Sequence, residues 1–526
     1  MPIHSILALD HAMDVHVELF ESLERTSRHT ALLAQKLFDG LSGLRYDNEQ
    51  PVCQLYSGSP ASGQQGPVVT FNVRNRHGGW VSNTEIEKLA AIRKIQLRTG
   101  GVCNPGGIAS ALDLAPWEMR QNFSAGQRCG TEQDVMNGKP TGVVRVSLGA
   151  MSTLQDVTAF MTFMEEFFVD DSEPMSSLYQ SVESERTGPF FIENLTVYPI
   201  KSCARWMVPA GKAWHVRQEG LAWDREWCLV HQGTGTALSQ KRYPKMALLR
   251  PHIDLDAGLL RIRFTGGNVG VDEVTVPLSD NPSLYVQQSS AAKERIARVC
   301  GDPFSPQIYE SAALASFFSK ALDVPCQLAR FPAVSNTSSS KRHSKAHLQN
   351  FQKRSKTHMP GAFPIDPSHE SHVTSPILLS NESPILIVSR SSVNRLNEQI
   401  KATGGKAAHP SVFRANIMVS EDLSMRPGRE QPYVEDHWRG MRIGRIRFRM
   451  MGGCRRCQMV CIDQETAKKD QEPFVTLAKT RRFDGKVFFG VHTCLEADPT
   501  MSEPTVMVGD PVCPDYDEDE SNYTCS

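Results

Sequence analysis

The run Gly452-Gly453-Cys454-Arg455-Arg456-Cys457-Gln458-Met459-Val460-Cys461-Ile462-Asp463 constrains this chain most. Before it, Arg445, Arg447 and Arg449 alternate with Ile446, Phe448 and Met450. That period of two predicts a strand with one apolar and one basic face. Gly452 and Gly453 then permit a tight turn. Cys454 and Cys457 flank two arginines. Nearby positive charge lowers a thiol's pKa, and a thiolate is a soft ligand for a transition metal. The same charges attract phosphate or another anion. One reading is a thiolate beside an anionic, metal-bearing ligand. A structural zinc knuckle and two inert cysteines are the other two. Cys461 supplies a third thiol, but no second Cys-x-x-Cys or His pair follows to complete a zinc site.

The chain has 526 residues, enough for about three or four domains. Its 40% hydrophobic and 22% charged content fits a globular protein. A net charge of −1 gives no global field for nucleic acid or anionic membranes. No apolar run approaches the ~20 residues that span a bilayer, and Met1 to Asp10 carries no basic segment or cleavage site. Thirteen cysteines, an odd number without framework spacing, point to reduced thiols in the cytosol.

Residues 1–170 read as one α/β unit. Leu19, Phe20, Leu23, Leu32, Leu33 and Leu37 fall at helical spacing within one long helix over 15–44. Strands are expected at 67–72 and 142–149, and a closing helix at 154–169. Thr84-Glu85-Ile86-Glu87 resembles a capping box. Within this unit, Gly100-Gly101-Val102-Cys103-Asn104-Pro105 places a cysteine just before a helix, with Asn104 as N-cap and Pro105 as first helical residue. A cysteine there is either an activated nucleophile or a small buried hydrophobe. Residues 171–188 read as a linker, 189–327 as a β-rich domain and 328–372 as a disordered basic insertion. Residues 373–512 read as a second β-rich domain and 513–526 as an acidic tail.

Several runs together resemble the molybdenum cofactor sulfurase family. They are RTGGVCNPGG at 98–107, APWEM at 115–119, SAGQRCG at 124–130, GKPTGVVRVSLGAM at 138–151, LTVYPIKSC at 195–203, GLAWDREW at 220–227, FRANI at 413–417, CRRC at 454–457 and VGDPV at 508–512. The resemblance implies an α/β fragment of a pyridoxal-phosphate-dependent class V aminotransferase (cysteine desulfurase-like) fold. A β-rich MOSC region, built as a β-barrel with its own N-terminal barrel domain, would follow it. It implies that Cys103 accepts sulfur from L-cysteine as a persulfide and that Arg145 holds the substrate carboxylate, a task suited to a guanidinium fork. Lys201, Ser202 and Arg225 would hold the pterin and phosphate of molybdenum cofactor, with Arg414 and Asn416 as further contacts. Cys457 would meet the molybdenum.

The family's pyridoxal phosphate lysine, phosphate loop and cofactor aspartate lie in an N-terminal subdomain that is not recognisable in this sequence. Before residue 100 the only lysines are Lys36, Lys88 and Lys94. The expected activity is sulfuration of molybdenum cofactor, activating enzymes of the xanthine dehydrogenase and aldehyde oxidase type. The rivals are a carrier of molybdenum cofactor without sulfurtransferase activity and a molybdenum oxidoreductase like the amidoxime reducers. No nucleic-acid or membrane partner is expected.

Overall fold

The computed structural model describes residues 3–60, 66–76, 78–101, 103–125, 127, 134–169, 190–285, 297–299, 302–331, 342–344, 375–421, 430–483, 486–496 and 503–515. The chain divides into two compact units: 1–174 with 478–486, and 175–477 with 487–526. The expected linker at 171–188 lies outside the described residues.

The first unit opens with two helices, not one. Helices α1 (Ile3–Phe20) and α2 (Leu23–Gly43) are separated by Glu21, whose φ of 66° ends the first. The Ser22 hydroxyl then accepts from the Arg25 N–H at 3.1 Å and starts the second. Only α2 has a buried face, through Leu33, Ala34, Leu37 and Leu41; Leu19, Leu23 and Leu32 are exposed. Strands β1 (Cys53–Leu55) and β2 (Val68–Val73), helix α3 (Asn83–Ile92), strand β3 (Arg98–Gly100), helices α4 (Pro105–Ala111) and α5 (Pro116–Ser124), strand β4 (Val143–Ser147) and helix α6 (Leu154–Met164) follow. The sheet is antiparallel in the order β1-β2-β4-β3. Phe160, Phe163, Phe167 and Phe168, on and after α6, are buried, and Phe160 meets Phe71 of β2 edge-on. The capping box expected at Thr84 is absent. Asp134, far along the chain, caps α3 by accepting from the Thr84 N–H at 2.6 Å and the Ser82 hydroxyl at 2.8 Å.

The second unit is built on a closed seven-stranded barrel. Its strands are β5 (Phe190–Val197), β6 (Ile385–Ser389), β7 (Ile417–Glu421), β8 (Gly440–Ile443), β9 (Ile446–Arg455), β10 (Lys486–Leu495) and β11 (Pro511–Asp515). They pair in the order β6-β7-β5-β11-β8-β9-β10, and β10 returns to β6 to close the ring. Only β6 and β7 are parallel, and the helix Arg390–Ala402 makes the crossover that such a pair requires. Closure leaves no open edge. Inward residues of every strand, among them Ile192, Ile387, Ile417, Met441, Phe448, Val491 and Val512, join one apolar core.

Several sequence boundaries shift accordingly. The strand at 190–197 is not confined to the first β-rich domain: it sits in the ring between β7 and β11. The acidic tail expected from 513 begins only after Asp515, because Cys513, Pro514 and Asp515 pair with Arg442, Met441 and Gly440. The basic insertion expected over 328–372 is structured where it is described, at 328–331 and 342–344. The strand Cys326–Arg330 pairs with Trp227–His231. Arg342, 5% exposed, lies in a strand pairing with Pro376–Ile377 and donates to the Ser380 carbonyl at 3.0 Å. The glycine pair makes no turn either. Strand β9 continues through Gly452 and Gly453 to Arg455, and its register against β10 slips at Met450/Gly452 and again at Gly453/Arg455. These are β-bulges, which use the extra residue to re-aim neighbouring side chains.

Candidate functional site

The chain leaves β5 at Val197 and enters β7 at Ile417, two strands that lie side by side. The segments flanking this junction carry most of the residues the sequence singles out. Tyr198 is buried at their centre. The Arg414 guanidinium carbon lies 4.1 Å from its ring centroid and that of Arg225 4.8 Å, both within cation–π range. Asp224 accepts from the Tyr198 N–H at 2.8 Å and pairs with Arg225. Arg225 also donates to Asn416 Oδ1 at 3.1 Å and to the Arg414 carbonyl at 3.2 Å.

Asn416, 1% exposed, is fully used: Oδ1 also accepts from the Leu386 N–H at 3.2 Å, and Nδ2 donates to the Thr196 carbonyl at 3.2 Å. It therefore ties β5, β6 and Arg225 together. Lys201, 8% exposed, donates to the Leu379 carbonyl at 2.8 Å and to Asn381. The Ser202 hydroxyl makes no hydrogen bond to a described residue.

Two features of this arrangement bear on binding. Ser202, Trp223, Arg225 and Arg414 have φ of 65°, 65°, 52° and 56°. Left-handed backbone at non-glycine residues costs about 1 to 3 kcal/mol each and collects where function over-determines geometry. Arg414 is also short of a partner. Its Nη1 donates to the Cys203 carbonyl at 2.7 Å, but Nη2 is buried without one. Burial pulls its pKa down to about 10, with Tyr198 and, more weakly, Asp224 opposing the shift, so it stays charged at neutral pH. Around Tyr198, Arg225 and Arg414 outnumber Asp224. Such an excess of buried cation suits a phosphate or other anion.

The Cys-Arg-Arg-Cys run connects to this junction through Arg456. Arg456, 5% exposed, donates from Nε to the Phe489 carbonyl at 2.7 Å and from Nη1 to the Phe413 carbonyl at 2.8 Å. It thus holds the residue just before Arg414. Cys457 follows, half-buried, at the start of a 3₁₀ turn over Gln458–Cys461. Burial pushes the Cys461 thiol up to about 12. The structure thus gathers Arg225, Arg414 and Asn416 in one bonded network, and Lys201 reaches it through Leu379, whose N–H donates to the Arg225 carbonyl at 3.1 Å. The sequence had missed Tyr198, Asp224 and Asn381, which orient that network and carry no motif of their own.

Cys103 and Arg145 belong to the first unit. Asn104 caps α4 as expected, its side chain accepting from the Gly107 N–H at 3.0 Å. Cys103 precedes it, exposed, with φ 53°. The loop leaves β3, whose partner strand β4 carries Arg145 opposite Arg98. Arg145 is half-buried and its Nε has no hydrogen-bond partner. Gly142 lets β3 approach closely: a Cβ there would stand 2.7 Å from the Gly100 backbone.

Two family models match this chain: the MOSC N-terminal beta barrel domain over residues 190–325 and the MOSC domain over 374–513. A molybdenum cofactor sulfurase of Botryotinia fuckeliana is 50% identical, covering 97% of this chain and 64% of the relative. That of Aspergillus terreus is 48% identical, over 98% and 64%. That of Neurospora crassa is 45% identical, over 95% and 63%. The chain belongs to the molybdenum cofactor sulfurase family. It spans a little under two thirds of the length of these relatives. The junction described above lies within the MOSC-matched part of this sulfurase-family chain, and Cys103 lies outside it. No helix among the described residues is long and apolar enough to cross a membrane.

Proposed function

We propose that this chain binds molybdenum cofactor at the β5–β7 junction and takes part in its sulfuration, with Cys103 as the residue that accepts sulfur. One observation carries the first half. Arg225, Arg414, Asn416 and Lys201, drawn from segments far apart in sequence, form a strained, cation-rich cradle with an orphaned buried guanidinium nitrogen. That donor set fits an anionic pterin phosphate. Lys201, Arg225 and Arg414 would neutralise it, Ser202 would donate from its unengaged hydroxyl, and Asn416 would hold Arg225 in register. The half-buried Cys457 thiol is the soft ligand nearest in sequence to the cradle's Arg456. Bound there, the cofactor supplies a molybdenum centre on which an oxygen ligand is exchanged for sulfide.

The first unit reads as part of a cysteine desulfurase-like fold on the family resemblance. In this reading L-cysteine is the sulfur source and Arg145 holds its carboxylate. Cys103 would accept sulfur as a persulfide, and its exposure beside a capped helix start supports that role. The lysines of residues 1–170 do not fit a resident pyridoxal phosphate. Lys36 and Lys94 are exposed, Lys88 faces Glu85 at 3.6 Å and Lys139 pairs with Glu118 at 3.1 Å. The reading therefore assigns Cys103 the acceptor's role only. Recipients of the sulfurated cofactor would be molybdenum hydroxylases, in a reducing compartment such as the cytosol that suits ten described cysteines without a disulfide.

The rival is a carrier that binds the cofactor without sulfur transfer. A single experiment separates the two. The full chain is produced in cells that make molybdenum cofactor, and bound pterin and molybdenum are assayed. It is then given a low-molecular-weight persulfide, and cyanide-labile sulfur on the cofactor is measured for the chain and for Cys103→Ala. Bound cofactor with Cys103-dependent sulfuration supports the sulfurase reading. Bound cofactor never sulfurated supports the carrier, and a folded chain without pterin removes both.

A further inference from the structure

The second bulge of β9, between Gly453 and Arg455, leaves Cys454 buried at 7% exposure. On the adjacent strand β10, His492 is 6% exposed. Its ring nitrogens are both engaged: Nδ1 lies 2.6 Å from Ser383 Oγ and Nε2 lies 2.9 Å from Glu382 Oε2. The sulfur of Cys454, a ring nitrogen of His492 and a carboxylate oxygen of Glu382 all lie within 4.8 Å of one another. Glu382 is the member that reaches solvent, its side chain 24% exposed. Arg456 adds a second cation, and its Nη2, buried, has no hydrogen-bond partner. Gly490 keeps this corner open, since a Cβ there would stand 3.2 Å from that nitrogen. None of Cys454, His492 and Glu382 belongs to the cradle.

The charge count decides between two uses of such a trio. With Cys454 as thiolate, His492 protonated and Glu382 ionised, the anions are two and the cations, His492 and Arg456, are also two. A buried cluster must balance in this way. A divalent metal on the same three side chains would displace the Glu382–His492 hydrogen bond and leave Arg456 uncompensated. The electrostatics agree. Burial raises the Cys454 thiol, but Arg456 and then His492 outweigh it and bring it below its ordinary value. Burial likewise works against a charged His492, yet Cys454 first and Glu382 second hold it protonated well above the usual imidazole range.

We propose that Cys454 is a second sulfur-accepting nucleophile of this chain, with His492 as its proton donor and Glu382 as the positioning residue, and that its substrate class is a persulfide. The proposal rests on the reading that this family member handles sulfur. In the step, Cys454 Sγ attacks the terminal sulfur of a donor R–S–SH. The donor's S–S bond breaks as the new Sγ–S bond forms. The donor leaves as a thiolate and takes the proton from His492, giving R–SH and a Cys454 persulfide. Sulfane sulfur changes carrier without net oxidation, so no further reagent is required. The acceptor lies three residues before Cys457 and shares Arg456 with the cradle.

The test uses the full chain and glutathione persulfide, followed by alkylation, digestion and mass spectrometry. Pterin content is measured in parallel, so loss of the cradle and loss of the acceptor register separately. The expected result is an added sulfur on Cys454, with a yield that falls about tenfold or more in His492→Gln. Glu382→Gln, at the solvent-facing rim, lowers it less and guards against a folding defect in the first variant. The iodoacetamide rate at Cys454 should depend less on pH around neutrality in the wild type than in His492→Gln, where the thiol loses the imidazolium that lowers it. Label on Cys103 or Cys457 with none on Cys454 overturns the proposal. So does stoichiometric zinc in the purified chain that is lost in Cys454→Ser. A chain without pterin that still labels Cys454 overturns the proposed function and leaves this acceptor standing.

Discussion

The two thiol-bearing regions of this protein are built on opposite principles. Around Arg414 and Asn416 nearly every polar atom is buried and tied to a strand of a closed barrel, and four left-handed residues are locked in place. Around Cys103 there is one short helix, one side-chain cap and an exposed thiol. A cradle that must hold an anion gains from rigidity, because donors fixed in advance need no reorganisation when the ligand arrives. A carrier that must meet a donor and then an acceptor gains from exposure. The comparison makes demands that can be tested by substitution. Changes in the cradle should move cofactor retention and stability, and changes at Cys103 should move neither.

Arg414→Met should separate the cradle's function from its stability. Burial of this charge without an anion disfavours the folded state, and its lowered pKa is the sign of that. The linkage runs as for any cation with a depressed folded pKa. The penalty is present while the group is charged in both states and fades only as pH rises from about 10 toward the unfolded value. At neutral pH the variant should therefore be as stable as the ligand-free wild type or more so, after the loss of one hydrogen bond to Cys203. Its pterin retention should fall by about tenfold to a hundredfold, the value of a charge-assisted hydrogen bond. Thermal melts of the ligand-free forms, set beside pterin assays of the loaded forms, check both halves. Lost stability with normal retention would make Arg414 a structural residue.

Asn416→Ala should do the reverse and strike the fold. It strips partners from the Thr196 carbonyl, the Leu386 N–H and Arg225 together. Each stranded buried group costs about 1 to 3 kcal/mol, so a total of about 3 kcal/mol is expected. The urea midpoint would fall with an unchanged slope. A loss under about 1 kcal/mol would show that water replaces the amide and that the junction is less closed than its burial suggests. Cys457→Ser should act more narrowly still. A serine oxygen keeps the size but not the softness of the thiol, so pterin stays and the molybdenum-to-pterin ratio falls, with metal affinity lower by about tenfold. An unchanged ratio would remove Cys457 from the metal.

What could be read in advance follows the range of the interactions. The strand alternation at Ile446, Phe448 and Met450 and the cap at Asn104 depend on neighbours a few residues away, and both stand as expected. The junction residues were legible one by one through motifs. Their bonding was not, since Arg225 and Asn416 meet only once the strands around them are paired. Asp134 capping α3 and Glu382 meeting His492 are long-range events with no local signature. The glycine pair misled for a related reason. Gly452 does adopt a positive φ of 103°, but β10 on one side keeps the chain extended and converts a would-be turn into a bulge. The long helix over 15–44 failed because periodicity reports a face and is blind to one residue, Glu21, that leaves helical geometry.

The smallest expected effect is at Cys103, and it is the sharpest check on the contrast. Cys103 has φ 53°, a conformation that costs an L-residue about 1 to 2 kcal/mol and glycine nothing. Cys103→Gly relieves that strain and adds backbone freedom to the unfolded chain, worth about 0.5 to 1 kcal/mol in the other direction. The two nearly cancel, so the net change should be a gain of under about 1 kcal/mol. Cys103→Ala keeps the strain and should match the wild type. In both variants pterin and molybdenum content should equal that of the unmodified chain, while sulfur accepted at this position disappears. Melting curves, cofactor assays and persulfide mapping on the same preparations give all three quantities. If either variant lost several kcal/mol or its cofactor, the loop would be part of the protein's rigid architecture, and the division between a fixed cradle and an exposed carrier would fail at this residue.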